Sequence, residues 1–192
     1  MSAARPIATT RSSAGMPTGR LAVWWVVVSE IVIFGGLLAS YVMHRLAHDA
    51  WSAQAAHTNT WIGATNTLVL LTSSLFAVLA HKAAEEGNGV RASNFLWMTV
   101  AGGATFIAIK AFEWTSEIHH GFTITSSTFW SFYYTAAGLH ALHVIAGAFV
   151  LAIIATQARK QMELHRVELI GIYWHFVDIV WIFLFPLLYI AK

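Results

Sequence analysis

The sequence predicts an all-α polytopic membrane protein: a bundle of five transmembrane helices, N-terminus cytoplasmic and C-terminus periplasmic. Three observations predict it. The 192 residues are 57% hydrophobic and only 10% charged, against about 25% charged in an ordinary soluble domain. Five apolar runs reach the ~20 residues a helix needs to cross the hydrocarbon core. They are long and lack period-2 alternation, which argues against membrane strands. The connections, 44–60, 82–94, 117–127 and 157–167, leave no room for a soluble domain.

Residues 1–20 form a polar, basic, acid-free tail, read as cytoplasmic, and residues 21–192 form the membrane domain. A signal peptide would have a short apolar core and a cleavage site; the first run is long, so it is expected to be retained. The spans are placed at about 21–43, 61–81, 95–116, 128–156 and 168–190. An odd number of spans puts the termini on opposite sides. Arg5, Arg11, Arg20, Lys82, Arg91, Arg159, Lys160 and Arg166 then share one side, and only Arg45 and Lys192 the other. Basic residues favour the cytoplasmic side, which fixes the orientation. No internal repeat suggests an inverted-repeat transporter. The net charge of +2 and the lack of a basic stripe exclude nucleic acid as a partner. The absence of cysteine excludes disulfides, thiolate metal sites and a Cys nucleophile.

Ionisable residues inside the spans are the candidate functional residues, because a charge in mid-bilayer costs several kcal/mol unless it pairs inside the bundle. At ~1.5 Å per residue, Glu30 lies roughly 14 Å and Asp178 roughly 15 Å from the cytoplasmic face. His175 is one turn from Asp178, and His140 and His143 descend from the other side to a similar depth. Each pair is spaced i, i+3 and shares a face. Glu30, His140, His143, His175 and Asp178 are therefore expected to meet in one buried, proton-linked cluster. Polar glue between helices is the plain alternative, at about 1 kcal/mol or less per bond. An HxxH plus HxxD metal site is another, weakened by too few carboxylates. A secondary polar set comprises Asn66, His81 and an i, i+3 ion pair, Lys110 with Glu113; Glu117, His119 and His120 should lie at the outer interface. Gly35, Gly36, Gly102, Gly103 and Gly147 are expected to permit close helix contact. The nine tryptophans, several at span ends, are read as an interfacial belt.

Four stretches resemble a known family. They are SEIVIFGGLLASY (29–41), NTLVLLTSS (66–74), FEWTSEIHHGFTITSSTFWSFYYTAAGLHALHVIAGAF (112–149) and YWHFVDIVWIFLFPLLY (173–189). Together, in this order, they resemble subunit III of the haem-copper terminal oxidases, the cytochrome c oxidase family, in its short five-helix bacterial form. The longer form has two further N-terminal helices that make one arm of a lipid-holding cleft.

The resemblance implies an accessory, non-catalytic chain with no metal or cofactor of its own. Haem and copper reside in partner subunits, subunit I packs directly on this chain, and subunit II and other oxidase subunits complete the complex. Membrane lipids, bound phospholipid among them, are further expected partners. The implied role is to stabilise subunit I and support proton uptake during oxygen reduction, as a multi-pass protein of the bacterial inner membrane. Glu30 matches the family's carbodiimide-reactive carboxylate; His140, His143, His175 and Asp178 match family positions, as do Asn66, His81 and Glu113. A subunit III-like protein of a quinol oxidase or nitric oxide reductase is the alternative within the family. A proton-coupled transporter is the alternative outside it.

Overall fold

The computed structural model describes residues 12–13, 16–47 and 51–191. Among these described residues five helices are long and apolar enough to cross a membrane, in agreement with the expected all-α fold. A two-residue ribbon pairs Ser12–Ser13 with Met16–Pro17 ahead of them. The helices are α1 (Thr18–Ala47), the short α2 (Trp51–Ala55), α3 (Thr60–Glu85), α4 (Gly89–His119), α5 (Thr128–Arg159) and α6 (His165–Phe185), which continues into a π-helical turn, Pro186–Ile190. Thr18, Gly19 and Arg20 thus belong to the first helix and not to the polar tail, whose residues 1–11 and 14–15 lie outside the described residues. So do Arg5, Arg11 and Lys192 of the charge pattern.

The helix starts are written locally. Asn59 Oδ1 accepts from Trp61 N (3.1 Å) and Ile62 N (3.3 Å) to cap α3. Asn88 caps α4 and Ser127 caps α5 in the same way, satisfying backbone donors that have no intrahelical partner. Between α3 and α4, Gly87 takes φ 74° and Asn88 N donates back to Ala83 O at 2.9 Å, the left-handed closure that glycine supplies without a Cβ penalty.

The core is a ring. α3 and α4 share the most extensive interface, α4 packs on α5, and α6 lies between α3 and α5. Half of the apolar window of α6 is buried, against 11% for α1. Helix α1 touches the rest along one narrow stripe, Val27, Phe34 and Tyr41, and leans mainly on α6.

Two packing expectations need correction. Gly102, Gly103 and Gly147 do mark close approaches: an added Cβ would meet Ser73 Cβ at 2.5 Å, Trp174 Cη2 at 2.8 Å and Tyr173 Cε1 at 3.0 Å. Gly35 and Gly36 meet nothing within 4 Å, because they lie off the stripe by which α1 reaches the bundle. The tryptophans divide as well. Trp24, Trp25, Trp61 and Trp97 are exposed, but Trp51, Trp130, Trp174 and Trp181 are core residues. The indole N–H of each of these four finds an acceptor on another segment: Trp51 on Tyr41 Oη, Trp130 on Gln54 Oε1, Trp174 on Ser73 Oγ and Trp181 on Thr67 Oγ1; that of Trp114 is buried without one among the described residues. A large ring with one donor fills volume between helices and ties them where lipid gives no hydrophobic drive.

Candidate functional site

The end of α6 builds the first polar centre. Pro186 has no N–H, so the regular ladder cannot continue through it, and the chain widens into the π turn, closed by Ala191 N to Pro186 O at 2.8 Å. Its carbonyls are met by side chains from elsewhere: Leu187 O by Tyr41 Oη (2.6 Å) and Tyr189 O by Thr60 Oγ1 (3.0 Å). Backbone polar groups at membrane depth need such partners. The turn carries the Tyr189 ring into the bundle.

There it meets the expected ion pair. Lys110 Nζ lies 3.0 Å from Glu113 Oε2, and both side chains are 1% exposed. Lys110 also donates to Tyr189 Oη and, at 3.3 Å, to Tyr133 Oη. Tyr189 donates to Glu113 Oε1 at 2.8 Å, and the two phenols are 3.0 Å apart. The rings of Trp114, Tyr133, Trp181 and Tyr189 surround the ammonium at 5.0–5.6 Å, each a cation–π neighbour. Glu117 is nearly buried one turn further along α4, not simply at the interface.

The second centre joins α1 to α5. His143 Nε2 lies 3.0 Å from Glu30 Oε2, both side chains 17% exposed, with no hydrogen-bond donor aligned on that oxygen. His143 Nδ1 is 2.8 Å from Leu139 O. A carbonyl only accepts, so Nδ1 carries the hydrogen; in a neutral ring Nε2 is then an acceptor facing a carboxylate oxygen. The contact therefore calls for one shared proton, held by the carboxyl or by the ring.

The third centre lies between α3 and α6. Ser74 Oγ is 2.6 Å from His175 Nδ1. Asp178 is buried, and neither carboxyl oxygen has a hydrogen-bond partner among the described residues.

The structure thus brings Glu30 to His143 and His175 to Ser74, but the five residues do not form one network. His140 explains the division. It is fully buried, both ring nitrogens are without hydrogen bonds, and it stacks on Trp181 (5.0 Å) with its edge to Phe106 (5.4 Å). Sharing an i, i+3 face, His140 and His143 still diverge by about 60° around α5, enough to send one into the aromatic core and the other to α1. Asn66 is buried and donates to Phe106 O at 3.3 Å; His81 faces Glu85 at 3.4 Å near the surface. Among the described residues no three histidine or acidic groups converge to hold a metal ion. Sequence reasoning missed Ser74, Tyr133 and Tyr189. The phenol in PLLYI was the available signal, since a buried hydroxyl in a span needs a partner.

This is the architecture of a polytopic helical membrane protein with carboxylates held inside its bundle. The family profile described as cytochrome c oxidase subunit III matches residues 8–192. The probable cytochrome c oxidase subunit 3 of Nocardia farcinica is 35% identical over 169 residues, 85% of this chain and 83% of that protein. The cytochrome c oxidase subunit 3 of Corynebacterium diphtheriae is 32% identical over 170 residues, with the same coverage of 85% and 83%. A longer relative, the heme-copper oxidase subunit I+III of Aeropyrum pernix, is 29% identical over 183 residues, 90% of this chain and 22% of that protein. The chain belongs to the cytochrome c oxidase subunit III family.

Proposed function

We propose that this chain is the accessory subunit III of an aerobic respiratory terminal oxidase of the cytochrome c oxidase type. The family match over residues 8–192 carries the reading. The chain has no redox centre and no catalytic residue of its own; haem and copper belong to its partner subunits. It packs on subunit I, with subunit II and the others completing the complex. A relative named as subunit I+III supports that contact, since there both names fall to one protein. The chain from Thr18 on, where the first helix begins, forms the membrane domain, seated in the bacterial inner membrane with the N-terminal tail cytoplasmic. An apolar cleft of about 240 Å³ between α1 and α6, lined by Phe34, Gly35, Leu38 and Phe183 among others, suits an acyl chain of bound phospholipid.

Within this role Glu30 and His143 are the proton-holding pair. Their contact joins α5 to α1, the membrane-length helix least buried in the bundle. His175 and Asp178 form a separate polar centre, and His140, Asn66, His81, Lys110 and Glu113 are structural supports.

Pull-down of the tagged chain from native membranes in mild detergent tests the assignment. The expected result is co-purification of haem bands in a reduced-minus-oxidised spectrum and cyanide-sensitive oxygen uptake. A colourless chain alone, beside a control preparation with its oxidase intact, overturns it. A hydrophobic carbodiimide should label Glu30, and Glu30→Gln should remove that label from the 18–47 peptide. Unchanged labelling would move the reactive carboxyl elsewhere.

A further inference from the structure

At the end of α4 opposite the 85–89 turn, a polar crevice of about 300 Å³ opens between α3, α4 and the 120–127 loop. Asn59, His57, Ser116, His120, Glu113 and Glu117 line it. Its volume is room for about ten waters at ~30 Å³ each, and its lining offers them hydrogen bonds. Glu117 is only 8% exposed, lines this space, and its carboxylate has no hydrogen-bond or ion-pair partner among the described residues. A carboxylate so enclosed, in a helix of membrane length, needs water. The crevice also touches Glu113, whose other contacts are Lys110 and Tyr189.

The path ends there. Beyond Glu113 the Lys110 ammonium is closed in by the rings of Trp114, Tyr133, Trp181 and Tyr189. Behind Trp181 stand Phe106 and His140, and the His140 ring nitrogens have no hydrogen-bond partner among the described residues. We propose that the crevice is a water-filled half-channel through which protons from the aqueous phase on that side reach Glu117 and stop at the Glu113–Lys110 pair. Hydronium gives its proton to the Glu117 carboxylate and leaves as water; the reverse step returns it. The groups around Glu117 are Glu113 and Lys110 on its own helix and His120 just past the helix end. From the other elements they are His57 on the α2–α3 connection, Tyr133 and Tyr134 on α5, and Tyr189 behind Glu113. The site loads and unloads protons with one face of the membrane only. With the N-terminus cytoplasmic, as proposed above, this face is the periplasmic one.

The chain has no cysteine, so a single introduced thiol reports access. Ser116→Cys lies in the crevice; Phe112→Cys, on the exposed apolar flank of the same helix, is the control. Both are made in the intact complex. Spheroplasts and inverted vesicles are treated with the membrane-impermeant trimethylammonium-ethyl methanethiosulfonate, and a water-soluble carbodiimide is mapped by peptide mass. The expected result is Ser116→Cys reacting at least ~10-fold faster than Phe112→Cys in spheroplasts, with carbodiimide adduct on Glu117. Reaction of Ser116→Cys only in inverted vesicles would keep the half-channel and overturn the orientation. A thiol that reacts from neither side until the complex is denatured, with Glu117 unmodified, would overturn the half-channel.

Discussion

Lys110→Met is expected to cost about 3–5 kcal/mol of stability, the usual penalty for removing one partner of a buried ion pair. The reason is what it leaves behind. Glu113 is 1% exposed and would keep the Tyr189 phenol as a donor but lose the cation beside it, in a part of the bundle walled by aromatic rings. The ammonium contributes more than its charge: it holds Glu113, Tyr133 and Tyr189 at once, so its loss also removes one tie of α5 and one of the π turn to α4. Thermal unfolding of the detergent-solubilised complex, read by loss of this chain from size-exclusion peaks, checks the size of the effect. The double variant Lys110→Met, Glu113→Leu removes both charges and should recover most of the loss, since replacing a whole buried pair by apolar groups is often neutral. A single variant as stable as the parent would show that Glu113 is already compensated by the crevice side.

The fold was legible because hydrocarbon sets the lengths. Membrane-length apolar runs and short connections give five helices regardless of how they pack; Asn59 and Ser127 stand just ahead of their runs, whereas Asn88 starts α4 well before the third run, at a place the hydropathy does not mark. The ion pair was legible for the same kind of reason: Lys110 and Glu113 lie on one helix at i, i+3, so a single periodicity decides it. The cluster was not. Depth along a helix says nothing about azimuth, and azimuth separates His143, turned to Glu30, from His140, stacked on Trp181. The same ambiguity hid Gly35 and Gly36, small residues of α1 at which an added Cβ would meet nothing within 4 Å. It also hid Tyr189, whose direction depends on a π turn that Pro186 permits and no span-length rule foresees.

Azimuth is set by packing, and the residue that sets it for α6 is Trp174. Its side chain is fully buried and fits against Gly103 of α4 and Gly147 of α5, where an added Cβ would lie 2.8 Å and 3.1 Å from the indole. Its Nε1 donates to Ser73 Oγ of α3 at 3.1 Å. One side chain thus registers α6 against three helices, and the next residue, His175, reaches Ser74 because of it. Trp174→Ala should cost about 3–5 kcal/mol, the range for emptying a buried aromatic site. Trp174→Phe should cost much less, because Ser73 Oγ keeps its own bond to Leu70 O. Gly103→Ala in the parent should cost about 1–3 kcal/mol by overpacking, yet little or nothing once the indole is gone. Coupling of about 1–3 kcal/mol in that double-mutant cycle, measured by thermal unfolding of the complex in detergent, is the expected signature of direct contact. Strict additivity would mean that α6 is held in register by something other than Trp174, and the placing of His175 against Ser74 would then need another cause.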